Sequence, residues 1–153
     1  MAINSEPRIV FAKAMSLIGL RMTHAMPSLA IEIPKQWQAF RQQYAATRNC
    51  EVTYGICCHA NAIEMEYMCA VETASFALAP EHAGKMIIPA QKYAVFLHEG
   101  PITDIGNSWD QILHQLMPAL NLEDAPTPSF ERYDQRYNAM TGMGTVEIYC
   151  PIK

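Results

Sequence analysis

The chain has 153 residues, enough for one domain or for two small halves that share a core. Half of its residues are hydrophobic and 17% are charged, which excludes a disordered chain and supplies a core that needs no disulfide or structural metal. The net charge of −4 excludes the basic stripe of a nucleic-acid binder, leaves room for a small cationic partner, and comes with no spare length for a DNA-reading domain beside a sensory one.

Arg8 to Met22 is rich in Ile, Val, Phe and Leu and reads as one strand, bulged at Gly19. Met26-Pro27-Ser28 is a turn. From Ile31 to Ala46 the spacing of Trp37, Phe40 and Tyr44 predicts a helix, with Pro34 in its first turn. Cys50 to His59 and Met65 to Thr73 read as two strands joined through Asn61. Pro80 to Gly84 is a turn, and Lys85 to His98 a long strand that Pro89 marks as an edge or a bulge. A second helix spans Asp104 to Met117, with Ile105, Trp109, Ile112, Leu113 and Leu116 as its apolar stripe and Pro118 as its stop. Ser129 to Arg136 and Thr145 to Ile152 are the last strands.

The order is strand, helix, strand, strand, given twice. Trp37 and Trp109 occupy similar places on the two helices, and Met65–Val71 resembles Val146–Ile152, so Glu66 is the counterpart of Glu147. This predicts a single α+β domain over 1–153, with halves of about 8–80 and 85–153. Each half is a βαββ unit related to the other by a pseudo-twofold axis. Together they form an antiparallel sheet with two helices on one side and a ligand cleft at the junction.

Ile88-Pro89-Ala90-Gln91-Lys92-Tyr93 through His98-Glu99-Gly100-Pro101 resembles the central signature of the GyrI-like effector-binding domain, the ligand-binding part of AraC-type regulators. Phe130-Glu131-Arg132-Tyr133-Asp134 and Val146–Lys153 resemble its closing strands, Ile33–Phe40 its first helix, and Tyr54-Gly55-Ile56 the strand after it. The match is collinear and covers nearly the whole chain. Cys150 departs from it, standing where relatives carry a β-branched or apolar residue. The resemblance implies the sensory half of multidrug-responsive transcription regulators, found here without its DNA-binding segment. It also implies kinship with standalone members that bind cationic drugs, some of them encoded on integron cassettes.

A pocket for lipophilic cations needs aromatic faces, worth about 0.5–2 kcal/mol each when desolvated, and a carboxylate whose burial an arriving cation makes favourable. In Phe130-Glu131-Arg132-Tyr133, period-2 alternation puts Glu131 and Tyr133 on one face. By the resemblance, Glu131 is the ligand-facing acid; the plainer alternative is a solvated strand carboxylate paired with a nearby Lys or Arg. Glu147, which shares a face with Tyr149, is the second candidate, and in a neighbouring strand the two acids would sit close together. Trp37, Tyr67, Tyr93, Trp109, Tyr133, Tyr137 and Tyr149 are candidate walls, with ordinary core packing as the alternative for each. Ten methionines, among them Met22, Met26, Met65, Met68, Met140 and Met143, fill gaps in the core or line a pliable cleft.

The five cysteines, Cys50, Cys57, Cys58, Cys69 and Cys150, show no disulfide framework and read as reduced thiols in a cytoplasm. No signal peptide or membrane span is expected. Neither zinc-ligand spacing nor a phosphate-cradling loop appears, so no metal or cofactor is expected. The leading expectation is a binding protein for amphipathic cations, with no catalytic residue, as a monomer or weak homodimer with no nucleic-acid or membrane partner. One alternative is a hydrolase of cyclopropanoid compounds, with Glu131 as general acid/base and Tyr133 or Tyr93 as proton donor. The other is a gyrase-inhibitor-like module that binds a partner protein.

Overall fold

The structure, a computed structural model, describes residues 3–44 and 52–153, apart from the side chain of Leu78. The expected helix end at Ala46 and strand start at Cys50, and the Cys50 thiol, lie outside the described residues.

Among the described residues, eight strands form one antiparallel sheet: β1 (Arg8–Ala12), β2 (Met15–Ala25), β3 (Thr53–Ala60), β4 (Glu64–Glu72), β5 (Gly84–Ile88), β6 (Gln91–Pro101), β7 (Ser129–Asn138) and β8 (Met143–Pro151). Helix α1 (Leu29–Gln43) follows β2, and α2 (Ile105–Gln111) follows β6, continuing through a π-helical segment, Ile112–Leu116, into a last turn, Met117–Ala119. Each helix is entered by a 3-10 turn, Met26–Ser28 or Ile102–Asp104. Helix α1 therefore starts earlier than its periodicity suggests. Pro34 lies inside it rather than in its first turn, with its ring on the exposed side.

Both long apolar runs are broken where one strand each was expected, at residues 13–14 and 89–90. No bulge occurs at Gly19. A Cβ there would stand 1.9 Å from the Cys69 carbonyl oxygen, so glycine permits the close approach of β4 without interrupting its register with β2.

The sheet order is β1-β6-β8-β7-β3-β4-β2-β5. The short links 13–14 and 89–90 each join strands six steps apart in that order. Six steps across a flat sheet would be about 29 Å, whereas three residues of extended chain reach about 10 Å. The sheet therefore curls on itself and encloses one face. Leu17, Tyr54, Ile56, Met68, Ile88, Tyr93, Val95 and Phe130 meet there in a core drawn from both ends of the strand order. The other face carries the helices. Phe40 of α1 packs over Tyr67, Cys69 and Val71 in one half, and Ile112 over Phe96, Ile148 and Cys150 in the other.

The duplication is closer than the sequence pattern implied. The starts of β1 and β5 (Arg8, Gly84), of β2 and β6 (Met15, Gln91), of the two 3-10 turns (Met26, Ile102), of the two helices (Leu29, Ile105) and of β3 and β7 (Thr53, Ser129) all keep one constant spacing along the chain. The first strands are exchanged: β1 pairs with β6 and β5 with β2. Gly55 and Glu131 are related by that same spacing and also face each other across the β3–β7 ladder. The pseudo-twofold axis therefore passes through this one residue pair, in the middle of the sheet.

Candidate functional site

Strand alternation turns Gly55 and Glu131 to the helix side of the sheet, while their neighbours Tyr54 and Phe130 enter the enclosed core. Glu131 is only 7% exposed. A buried carboxylate is stable only when its lone pairs are used, and three side chains use them here. Tyr67 Oη donates to Oε1 at 2.8 Å and Tyr133 Oη to the same oxygen at 2.6 Å. Trp109 Nε1 donates to Oε2 at 2.8 Å. Trp37 Nε1 donates to Tyr67 Oη at 3.3 Å, so both tryptophans point at the acid, one directly and one through a phenol.

Each donor comes from a different element. Tyr133 lies on β7 beside Glu131, Tyr67 belongs to β4, Trp37 to α1 and Trp109 to α2. Gly55 makes the arrangement possible: a Cβ there would stand 1.9 Å from Tyr67 Oη and 2.9 Å from Glu131 Oε1. On the axis, one half supplies the carboxylate and the other half the space it occupies.

The rings form a continuous aromatic wall. The centroids of Trp37 and Tyr133 are 5.2 Å apart at 71°, and those of Tyr133 and Tyr137 are 5.0 Å apart at 64°. Edge contacts of this kind set hydrogen edges against π faces along the wall. Burial, and then the charge of Glu131, holds the Tyr67 and Tyr133 phenols well above their ordinary value, so both remain protonated donors. Two open surface depressions lie elsewhere, one beside Ile9, Lys92 and Asn121 and the other beside Phe11 and Gln91. The carboxylate is covered by its own donors.

Of the expected site residues, Glu131, Tyr133, Tyr67, Trp37 and Trp109 come together, and Tyr137 joins them. Glu147, Tyr149 and Tyr93 do not. Glu147 does lie in the strand next to that of Glu131, yet the two acids do not meet: the register pairs Glu147 with Arg132, on the face of the sheet opposite to Glu131. Although 5% exposed, it meets Arg8 at 2.7 Å, Arg132 at 2.8 Å and Arg136 at 3.5 Å. Arg132 and Arg136 also hold Asp134, and the Arg136 hydrogen bond brings the Asp134 carboxyl down to about 2. Glu147 thus ties the exchanged strand β1 to β7. Tyr93 and Tyr149 pack edge to face at 5.4 Å on the same side as Phe130, and burial pushes the Tyr93 phenol up to about 12.

The repeat pairs also need correction. Counted from the starts of β4 and β8, Glu64 and Met143, the counterpart of Glu147 is Met68, not Glu66. Glu66 pairs with Arg21 at 2.8 Å. Counted from the helix starts, Leu29 and Ile105, Trp109 sits one turn earlier in its helix than Trp37 does. Met68 lies in the enclosed core, and Met140, at the tip of the β7–β8 hairpin, is 94% exposed. Burial raises the Cys57, Cys58, Cys69 and Cys150 thiols, which suits inert packing rather than nucleophilic chemistry. Gly55 is the functional residue that sequence reasoning missed; the available signal was a glycine at an inward-facing position of a strand.

Residues 5–153 match the model of the GyrI-like small molecule binding domain. The chain is 32% identical to the transcriptional regulator BrlR of Pseudomonas aeruginosa over 97% of its own length, and it spans about half of that relative (56%). Its fold resembles SAV2435, solved with bound tetraphenylphosphonium, with a TM-score of 0.78 at 20% identity over 97% of this chain and 94% of the other. It also resembles the integron cassette protein VCH_CASS2 of Vibrio cholerae, with a TM-score of 0.71 at 18% identity over 99% and 96% of the two chains. Among the described residues no helix is long and apolar enough to cross a membrane.

Proposed function

The chain belongs to the GyrI-like small-molecule-binding domain family, and we propose that it binds amphipathic organic cations at Glu131, between the Trp37–Tyr133–Tyr137 wall and Trp109. The observation that carries this reading is a carboxylate on the pseudo-twofold axis, buried among two phenols and two indoles, with no basic side chain among the described residues hydrogen-bonded to it. Glu147, by contrast, is buried against three arginines. The negative charge of Glu131 is held by neutral dipoles, so it remains available to a cation. The likeness to a protein solved with tetraphenylphosphonium supports the same class of ligand.

Entry involves an exchange at Oε2. The Trp109 indole rotates about its own side-chain torsions off the carboxylate while the turn of α2 that carries it stays in place; its N–H is replaced by positive charge, and its face becomes the second wall. Oε1 stays fixed by the two phenols throughout. A cation with a flat or propeller-shaped aromatic surface gains most, because it covers ring area on both sides while its charge stays near the acid.

Titration of the protein with tetraphenylphosphonium, followed by tryptophan emission, tests the proposal. Saturable binding tighter than roughly 100 μM is expected, about 5.5 kcal/mol. Binding weaker than that, or without saturation, overturns it. The 2.6 Å contact between Tyr133 and Glu131 also supports an acid/base reading, in which the pair hydrolyses a strained electrophile. Multiple-turnover loss of a cyclopropanoid substrate separates that reading from simple binding.

A further inference from the structure

Both tryptophans at the carboxylate are preceded in sequence by a buried polar residue bonded to a buried histidine of the preceding strand. In the first half, Gln36 Nε2 donates to the Leu20 and Tyr67 carbonyls at 2.9 and 2.8 Å, which fixes the orientation of its amide. Its Oε1 therefore accepts the Nε2–H of His24 at 2.6 Å. In the second half, His98 Nε2 faces the Pro101 carbonyl at 3.0 Å and must donate to it. His98 Nδ1 stands 2.6 Å from Ser108 Oγ, so a neutral ring accepts the serine proton there. His98 is fully buried and Ser108 is 1% exposed.

We propose that His98 and Ser108 are positioning residues for the cation site: they fix the turn of α2 that carries Trp109, and so hold its indole over Glu131. This rests on the reading of the cleft as a cation site. The reason lies in the helix itself. Directly after Gln111 the chain becomes π-helical from Ile112 to Leu116, so the regular ladder of backbone bonds does not continue past the Trp109 turn. One residue before Trp109, Ser108 bonds to a ring that β6 holds rigidly, and β6 is paired along its length to β8. The turn is thereby registered against the sheet, and with it the Trp109 Nε1 to Glu131 Oε2 distance of 2.8 Å. The Gln36 amide does the same for Trp37, and its bond to the Tyr67 carbonyl also steadies the phenol that holds Oε1. The two halves thus reach one function with different residues.

Ser108→Ala separates positioning from ordinary core stability. In the full chain, the ¹⁵N–¹H indole resonance of Trp109, assigned with Trp37→Phe, reports the bond to Glu131 without any ligand. In Ser108→Ala that resonance moves toward the position of a water-exposed indole, while that of Trp37 stays. Tetraphenylphosphonium affinity falls about fivefold, because the turn from which Trp109 supplies the second wall is no longer pre-ordered. Ser108→Thr, which keeps the hydroxyl, restores both readings. If Ser108→Ala does not fold, Ser108→Cys, a weaker donor of similar size, carries the same measurements. A lower melting temperature with an unmoved Trp109 resonance and affinity within about twofold of the parent overturns the proposal. If the parent chain binds no tetraphenylphosphonium, the cation reading fails, and the free-protein resonance still decides the positioning role.

Discussion

Gly55→Ala perturbs the site by a single methyl group, and the structure sets its size. The backbone at Gly55 is an ordinary strand, so no conformational strain arises from the added Cβ. The methyl carbon would stand 1.9 Å from Tyr67 Oη, 2.8 Å from Tyr67 Cζ and 2.9 Å from Glu131 Oε1. Tyr67 is buried and hydrogen-bonded on two sides, so it cannot swing to solvent. Forcing it aside costs about 1–3 kcal/mol as overpacking, and losing its bond to a carboxylate costs about 1.5–3 kcal/mol. Replacing glycine returns about 0.4–1 kcal/mol through the unfolded chain. The net loss is about 3 kcal/mol, which lowers the melting temperature of a domain this size by about 6–12 °C. Thermal unfolding followed by circular dichroism measures it. Gly55→Ala with Tyr67→Phe, which removes the obstructing oxygen, should be more stable than Gly55→Ala alone. A single variant melting within about 2 °C of the parent refutes the packing argument.

The shifted phenols and the Asp134 carboxyl give stability two pH dependences of opposite sign. Tyr67 and Tyr133 have folded-state values above the unfolded value of about 10, so their contribution is complete below that pH and is lost as pH rises past it. Absorbance at the phenolate band should therefore show these two phenols ionising only together with unfolding; early ionisation in the folded protein would contradict their burial. Asp134 has the opposite sign. Its value is lowered to about 2, so the stability it contributes is present above the ordinary carboxylate value and is lost as pH falls toward 2. Asp134→Asn should flatten the fall in melting temperature between about pH 4 and pH 2; an unchanged slope would assign that fall to other groups.

Much of this molecule is legible in its sequence because period-2 and period-3.6 patterns report local geometry. The alternation in Phe130–Tyr133 puts Glu131 and Tyr133 on one face, and the stripes of Trp37 and Trp109 mark two helices, as the structure has them. What local patterns cannot carry is which face a strand turns to which partner. Glu147 and Tyr149 do share a face, but only the β7–β8 register reveals that it is the enclosed one. Tyr67 reaches Glu131 from far along the chain because β3 lies between their strands with a glycine at the crossing. The breaks at 13–14 and 89–90 stay hidden because both sides of each remain apolar while the chain passes from one end of the curled sheet to the other. The repeat was visible, but residue likeness paired Trp37 with Trp109 and Glu66 with Glu147, whereas the elements repeat at spacings that match neither pair.

Calorimetric titration of Glu131→Gln with tetraphenylphosphonium, run beside the neutral triphenylphosphine oxide, tests the central claim most directly. A unit charge about 5 Å from the carboxylate, at an effective dielectric near 20, is worth about 3 kcal/mol. The account predicts a loss of cation affinity of roughly a hundredfold, with the neutral probe changed by less than about threefold. A folded Glu131→Gln variant that binds the cation within about threefold of the parent contradicts it.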